Sequence, residues 1–166
     1  MKFAHVYNEI ERPSKALIEG FGQISSATAH EASGKKGALT SAIKPVAAGM
    51  RVCGPALTVL CRSKDNLMLH KAIAVARPGD VLVVATEDKA EAGFWGEIMT
   101  VSAQANGIAG LVIDNCARCR SNHRQRLPGV FARTVHQRHG QGQSGVDQPP
   151  DSMRRIPGVP GRSCLG

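Results

Sequence analysis

The chain has 166 residues, a length that suits one domain with a modest core. Its formal charge of +8 sits mostly at one end: residues 1–118 hold thirteen Lys/Arg against eleven Asp/Glu, and residues 119–166 hold eight Arg against Asp147 and Asp151. The nearly neutral first part argues against a specific nucleic-acid role, and the absence of an 18-residue apolar run or of a signal peptide's apolar core at Met1-Lys-Phe-Ala-His predicts a cytoplasmic chain with no membrane segment.

In chain order, Ser14 to Phe21 reads as an amphipathic helix, and Ser25 to Ala32 as a second short one opened by Ser/Thr capping chemistry. Ser33-Gly-Lys-Lys-Gly37 is a turn. Ile43 to Val46 reads as a short edge strand because it contains Pro45. Arg51 to Leu60 reads as a longer strand, with Gly54-Pro55 as a bend or bulge. Asn66 to Ala76 is a helix with Met68, Ala72 and Val75 on one face. Arg77-Pro-Gly-Asp80 turns into a buried strand, Val81 to Ala85. Gly96 to Asn106 is a helix, and Gly110 to Asp114 another buried strand. Strands alternating with helices predict an α/β domain. Beyond residue 119 only Gly129 to Ala132 looks strand-like.

Chemistry concentrates near residues 91–118. The turn from Glu91 into Gly96-Glu97-Ile98-Met99 starts a helix on glycine. Free backbone N–H groups and the positive end of the helix dipole there favour a carboxylate or phosphate, although Gly93 and Gly96 also serve merely to shape a loop. Asp114 ends an apolar strand at its carboxyl end, where α/β sheets place site residues; a capping role is the alternative. Arg118 lies just beyond, able to clamp a carboxylate or to remain an exposed loop residue. His30-Glu31 and Asp65-Asn66…His70 read as caps or surface pairs. Five cysteines, an odd number, favour reduced thiols over a disulfide framework. Cys116-Ala-Arg-Cys119 has half a zinc-site spacing, but no second half follows.

Taken together, His30-Glu-Ala, Gly54-Pro-Ala-Leu-Thr-Val, Asp65-Asn-Leu-Met-Leu-His70, Arg77-Pro-Gly-Asp80-Val-Leu-Val-Val and Gly96-Glu…Ala103…Gly107-Ile-Ala-Gly110-Leu-Val-Ile-Asp114 resemble one family in order and spacing. It is that of the 4-hydroxy-4-methyl-2-oxoglutarate / 4-carboxy-4-hydroxy-2-oxoadipate aldolases, which share a fold with the regulator of ribonuclease activity A. The resemblance spans about residues 10–115, and the Asp65-Asn66…His70 segment favours the aldolase branch.

The resemblance implies a layered sheet-and-helix fold of the swivelling β/β/α type. It also implies a class II pyruvate aldolase of aromatic catabolism, dependent on Mg²⁺ or Mn²⁺ and able to decarboxylate oxaloacetate, assembled as a homo-trimer or hexamer around a small keto-acid substrate. The N–H groups of Gly96, Glu97, Ile98 and Met99 would hold the pyruvate carboxylate, and Arg118 would contact the pyruvate oxygens. The family's metal-binding Asp falls at Cys119, whose thiolate is a poor ligand for Mg²⁺; no metal ligand is therefore assigned in this chain. A non-catalytic, partner-binding regulator of ribonuclease activity is the alternative. An RNA-binding role for the basic tail is a third reading, and it predicts binding that falls steeply with salt.

Residues 119–166 contain no Lys or Glu but eight Arg, seven Gly and five Pro. Advancing one base from Cys116 lets Cys116-Ala117-Arg118, with the first base of Cys119, encode Val-Arg-Asp, the family signature. Arg126 to Val130 then encode Gly-Phe-Pro-Val-Phe, and Arg162 onward Asp-Leu-Val. Most positions are degenerate, but Met153 has a single codon and, before a CGN arginine, must read as the family's Cys. The chain is accordingly divided into a family-like domain, 1–118, and an out-of-frame tail, 119–166, expected to be disordered or poorly packed, leaving C-terminal strands of the sheet missing or scrambled and activity impaired.

Overall fold

The computed structural model describes residues 6–87, 93–117 and 127–133. All of them belong to the first of two compact units, Met1–Val135 and His136–Gly166. Helix α1, Lys15–Gln23, begins where the Ser14 hydroxyl accepts from the Leu17 N–H. Helix α2, Ser26–Ala32, begins where Ser25 accepts from Thr28 N–H. Both are the expected Ser caps. The turn that follows uses left-handed backbone at Gly34, Lys35 and Gly37.

Strand β1, Ile43–Pro45, is an edge strand, the position that tolerates a residue without an N–H. Strand β2, Ala56–Cys61, is shorter than the expected Arg51–Leu60. The ladder opens at Ala56 because its partner Val81 is the first residue of the neighbouring strand, and before it Gly54 packs closely against the Gly79 carbonyl of the turn that leads into that strand. Instead Arg51 and Val52 pass over Gly110 and Gly129, the two glycines paired across neighbouring strands.

Helix α3, Leu67–Val75, buries Leu69, Ala72 and Ile73, one position off the face expected from Met68, Ala72 and Val75, which places Met68 and Val75 at the core's margin. Its amino end is capped by Asp65 Oδ1, which accepts from Leu67 N–H at 2.8 Å. Then come β3, Val81–Thr86; β4, Gly93–Trp95; α4, Glu97–Ala105; β5, Gly110–Ile113; β6, Cys116–Ala117; and β7, Gly129–Arg133.

Strands β1, β7, β5, β3 and β2 form one sheet in that order. Strands β2, β3, β5 and β7 are parallel, and β1 pairs antiparallel with β7. Four hydrophobic runs buried in one sheet give the near-continuous Val/Leu/Ile patterns of β3 and β5. The core gathers Leu57, Val59 and Cys61 from β2, Leu82 and Val84 from β3, Leu111 and Ile113 from β5, and Trp95, Met99 and Ala103 around α4.

Strand β7 forms where Gly129 to Ala132 read as strand-like, so the stretch after residue 119 contributes one strand to the sheet. Gly129–Arg133 lies between β5 and β1, with Leu127, Val130 and Ala132 buried. Val130 and Ala132, two residues apart on one face of the strand, are buried beside β5. The rest of the stretch read as out-of-frame lies outside the described residues.

Candidate active site at the carboxyl end of the sheet

Strands β3 and β5 run parallel, and their ladder ends with Val84 opposite Ile113. Beyond that rung the ladder is continued by side chains. Asp114 N–H still donates to Val84 O at 3.2 Å, and Asp114 Oδ1 accepts from both the N–H and the hydroxyl of Thr86, each at 3.0 Å. Asn115, only 3% exposed, donates from Nδ2 to Thr86 Oγ1 at 3.3 Å. Asp114 is therefore committed to its neighbour strand, as the capping alternative held.

From there the chain leaves the main sheet. Cys116 and Ala117 form β6, which pairs in parallel with β4, Gly93 opposite Cys116 and Trp95 opposite Ala117, with a bulge between Gly93 and Trp95. Strand β4 leads directly into α4. Gly96, in extended backbone, is the N-cap and contributes no capping side chain. The first helical N–H groups, Glu97 to Met99, thus have no intrahelical acceptor. A Cβ built on Gly96 would meet nothing within 4 Å among the described residues. Met99 is buried, whereas Ile98 is 82% exposed.

Buried Trp95 fixes the helix start: its indole N–H donates to Thr100 Oγ1 at 2.9 Å, and that hydroxyl donates to Gly96 O at 3.0 Å. A dipole-positive helix end with free donors can hold a carboxylate. Gly96, Glu97, Ile98 and Met99 form the amino end of α4, and β6 carries the chain to Ala117, one residue short of Arg118, alongside Trp95. Arg118, Cys119 and Glu91 lie outside the described residues.

Strands β4 and β6 were not legible in the sequence. Gly93-Phe-Trp95 is too short for a periodicity, and only the paired residues Phe94 and Trp95, both buried, hint at it. Among the described residues, no three His, Cys, Asp or Glu side chains gather as a metal-binding group. Cys119, where the resemblance puts the family's metal ligand, is a soft donor poorly matched to Mg²⁺ or Mn²⁺ and lies outside the described residues. His30 and the Asp65-Asn66…His70 segment stay structural: His30 Nδ1 meets Lys36 O at 3.2 Å, and Asn66 Nδ2 meets Met99 Sδ at 3.9 Å.

A larger cavity, about 560 Å³, lies along β2 and α3, lined by Ile10, Leu57, Leu60, Met68 and Val75. It includes no residue of β4, α4 or β5 and is a separate feature. No described helix is long and apolar enough to cross a membrane.

The largely parallel sheet and the helices that connect its strands define an α/β domain of the RraA-like layered type. A family profile described as RraA-like, Aldolase/RraA, matches residues 22–151, and the chain belongs to that family. A Halalkalibacterium halodurans protein named "Putative 4-hydroxy-4-methyl-2-oxoglutarate aldolase" is 41% identical over 80 residues, covering 48% of this chain and 38% of its own. A Burkholderia mallei protein of the same name is 31% identical over 137 residues, covering 80% and 82%. Streptomyces coelicolor RraAS2, described as an unusual member of the RNase ES inhibitor RraA family, superposes with a TM-score of 0.62 at 28% identity, covering 73% of this chain and 64% of that one. The chain spans 38% of the H. halodurans protein and 18% of Legionella pneumophila DlpA, with which it shares 31% identity over 111 residues.

Proposed function

We propose that this domain is a keto-acid-binding member of the aldolase branch. The ancestral reaction is carbon–carbon cleavage of 4-hydroxy-4-methyl-2-oxoglutarate or 4-carboxy-4-hydroxy-2-oxoadipate to pyruvate and a second keto acid, with oxaloacetate decarboxylation as a side activity. The observation that carries this reading is the uncapped amino end of α4 at Gly96, beside the strand that leads to Arg118. Backbone N–H groups of Glu97 to Met99 hold the substrate carboxylate, and Arg118 contacts the keto-acid oxygens. The relatives' names support the same branch.

Catalysis in this reading calls for a divalent metal, Mg²⁺ or Mn²⁺, working in a cytoplasmic homo-oligomer. Because Cys119 is poorly matched to such an ion, the chain as written binds the keto acid but turns it over poorly. The second reading, a partner-binding regulator of ribonuclease activity, is favoured by the likeness to RraAS2 and needs no metal.

Titration calorimetry with pyruvate and oxalate tests the site. Glu97→Pro removes one free N–H at the first helical position, where proline is tolerated and the preceding Gly96 is already extended. Compared with Glu97→Gln, which matches the charge, it should weaken oxalate roughly tenfold, the scale of one hydrogen bond to a charged group. Equal affinities, or no binding by the parent chain, would favour the regulator reading, for which capture of a ribonuclease is the positive result.

A further inference from the structure

The side-chain bridge between Thr86 and Asp114 stands where the chain changes sheets. On its amino side, β5 pairs with β3 in the main sheet; on its carboxyl side, β6 pairs with β4 in the small one. Only Asn115, itself bonded to Thr86, separates Asp114 from β6. Beyond the last rung of the β3–β5 register, Val84 opposite Ile113, the exit is held by the Asp114 N–H on Val84 O and by the two bonds that Asp114 Oδ1 accepts from Thr86. The direction in which residues 116–117 leave the sheet thus rests on side-chain bonds as well as on the ladder, and two of them join Asp114 Oδ1 to Thr86.

We infer that Asp114 and Thr86 are positioning residues. Their bridge fixes the strand switch that lays β6 against β4 and so aligns the chain entering Arg118 with the amino end of α4. Asp114 acts here through geometry, as an acceptor of two hydrogen bonds. An asparagine carbonyl oxygen accepts equally well, so the role survives loss of the charge. The functional consequence rests on the carboxylate-site reading; the structural consequence does not.

Trp95 makes the two separable. It is the chain's single tryptophan, fully buried on β4 opposite Ala117, so its emission reports the β4–β6 pair. The experiment compares the full chain with Asp114→Ala, Asp114→Asn and Thr86→Val, reading Trp95 emission, amide exchange at 93–95 and 116–117, and oxalate affinity. In Asp114→Ala the emission should shift to the red, exchange at those amides should rise at least tenfold while amides of β2 and β3 stay protected, and oxalate affinity should fall about tenfold. Asp114→Asn should restore all three, and Thr86→Val should fall between.

Unchanged Trp95 emission and exchange in Asp114→Ala would overturn the inference. So would an Asp114→Asn chain as impaired as Asp114→Ala, which would mean the charge itself is used. Should Asp114→Ala not fold, Thr86→Val decides by the same readouts. A parent chain that binds no oxalate defeats the carboxylate reading alone, leaving the emission and exchange results to decide the positioning role.

Discussion

Arg12 holds the buried carboxylate of Asp80 with two parallel hydrogen bonds, Nε to Oδ1 at 2.8 Å and Nη2 to Oδ2 at 2.7 Å, across 68 positions of sequence. Asp80 is 1% exposed and also accepts from the Arg77 N–H at 2.8 Å. The Pro78-Gly79-Asp80 turn is thereby tied to the segment that precedes α1. Bidentate pairing of this kind gives geometric definition as well as attraction.

Removing the carboxylate should therefore loosen the amino-terminal segment and lower stability together. Asp80→Ala is expected to cost about 3 kcal/mol, the scale for losing one partner of a buried pair. Urea unfolding measures it, and a midpoint unchanged from the parent would contradict the role given to the pair. Acidity should act on the same group. Burial pushes the Asp80 carboxyl up, but the Arg12 bond, the Arg77 amide and the charges of both arginines outweigh it, so its pKa lies below the ordinary 3.8. A lowered folded-state value means the contribution is fully present above that ordinary value and is lost as pH falls through the folded one. The parent chain should lose stability in that acid window more steeply than Asp80→Ala.

Gly110 and Gly129 face each other where Val52 crosses the sheet. A Cβ on Gly110 would lie 2.5 Å from Val52 Cγ2 and 2.7 Å from Gly129 O. Gly110→Ala should destabilise by about 1–3 kcal/mol, the range for overpacking a close-packed core. Because the second contact is backbone, adding Val52→Ala should recover only part of the loss in thermal unfolding.

Two described cysteines should differ sharply in reactivity. Burial, aided by the charges of Asp65 and Asp114, pushes the Cys61 thiol up to about 11. At pH 8 only about one such thiol in a thousand is ionised, and the thiolate is the nucleophile. Cys53 is exposed. Peptide mass spectrometry after brief iodoacetamide treatment of the native chain should find Cys53 alkylated well before Cys61; equal rates would mean the β2 edge opens readily.

Much of this architecture is readable in the residues because it rests on local signals. Ser14 and Ser25 announce helix starts by their hydroxyls, Pro45 marks an edge, and the apolar runs at Val81 and Gly110 are strands covered on both faces. The amino end of α4 was visible for the same reason: Gly96 followed by a helical period leaves donors free. What stayed hidden depends on contacts distant in sequence. The strand expected from Arg51 starts only at Ala56, opposite Val81, where its partner β3 begins. Strands β4 and β6 exist only because each pairs with the other, 23 and 22 positions apart at the two rungs. The Arg12–Asp80 pair had no local signal at all. Gly129 to Ala132 stood out as strand-like after residue 119, but the place of β7 is set by β5 and β1, which no local signal announces.

The central claim is a family site whose metal ligand, and hence turnover, is compromised by the reading frame beyond Cys116. The direct measurement is pyruvate release from 4-hydroxy-4-methyl-2-oxoglutarate with Mg²⁺, coupled to lactate dehydrogenase, for this chain and for one expressed from the gene advanced by one base at Cys116. The account predicts steady pyruvate release from the corrected chain and at least a hundredfold less from the present one. No release from the corrected chain, or equal release from both, would contradict it.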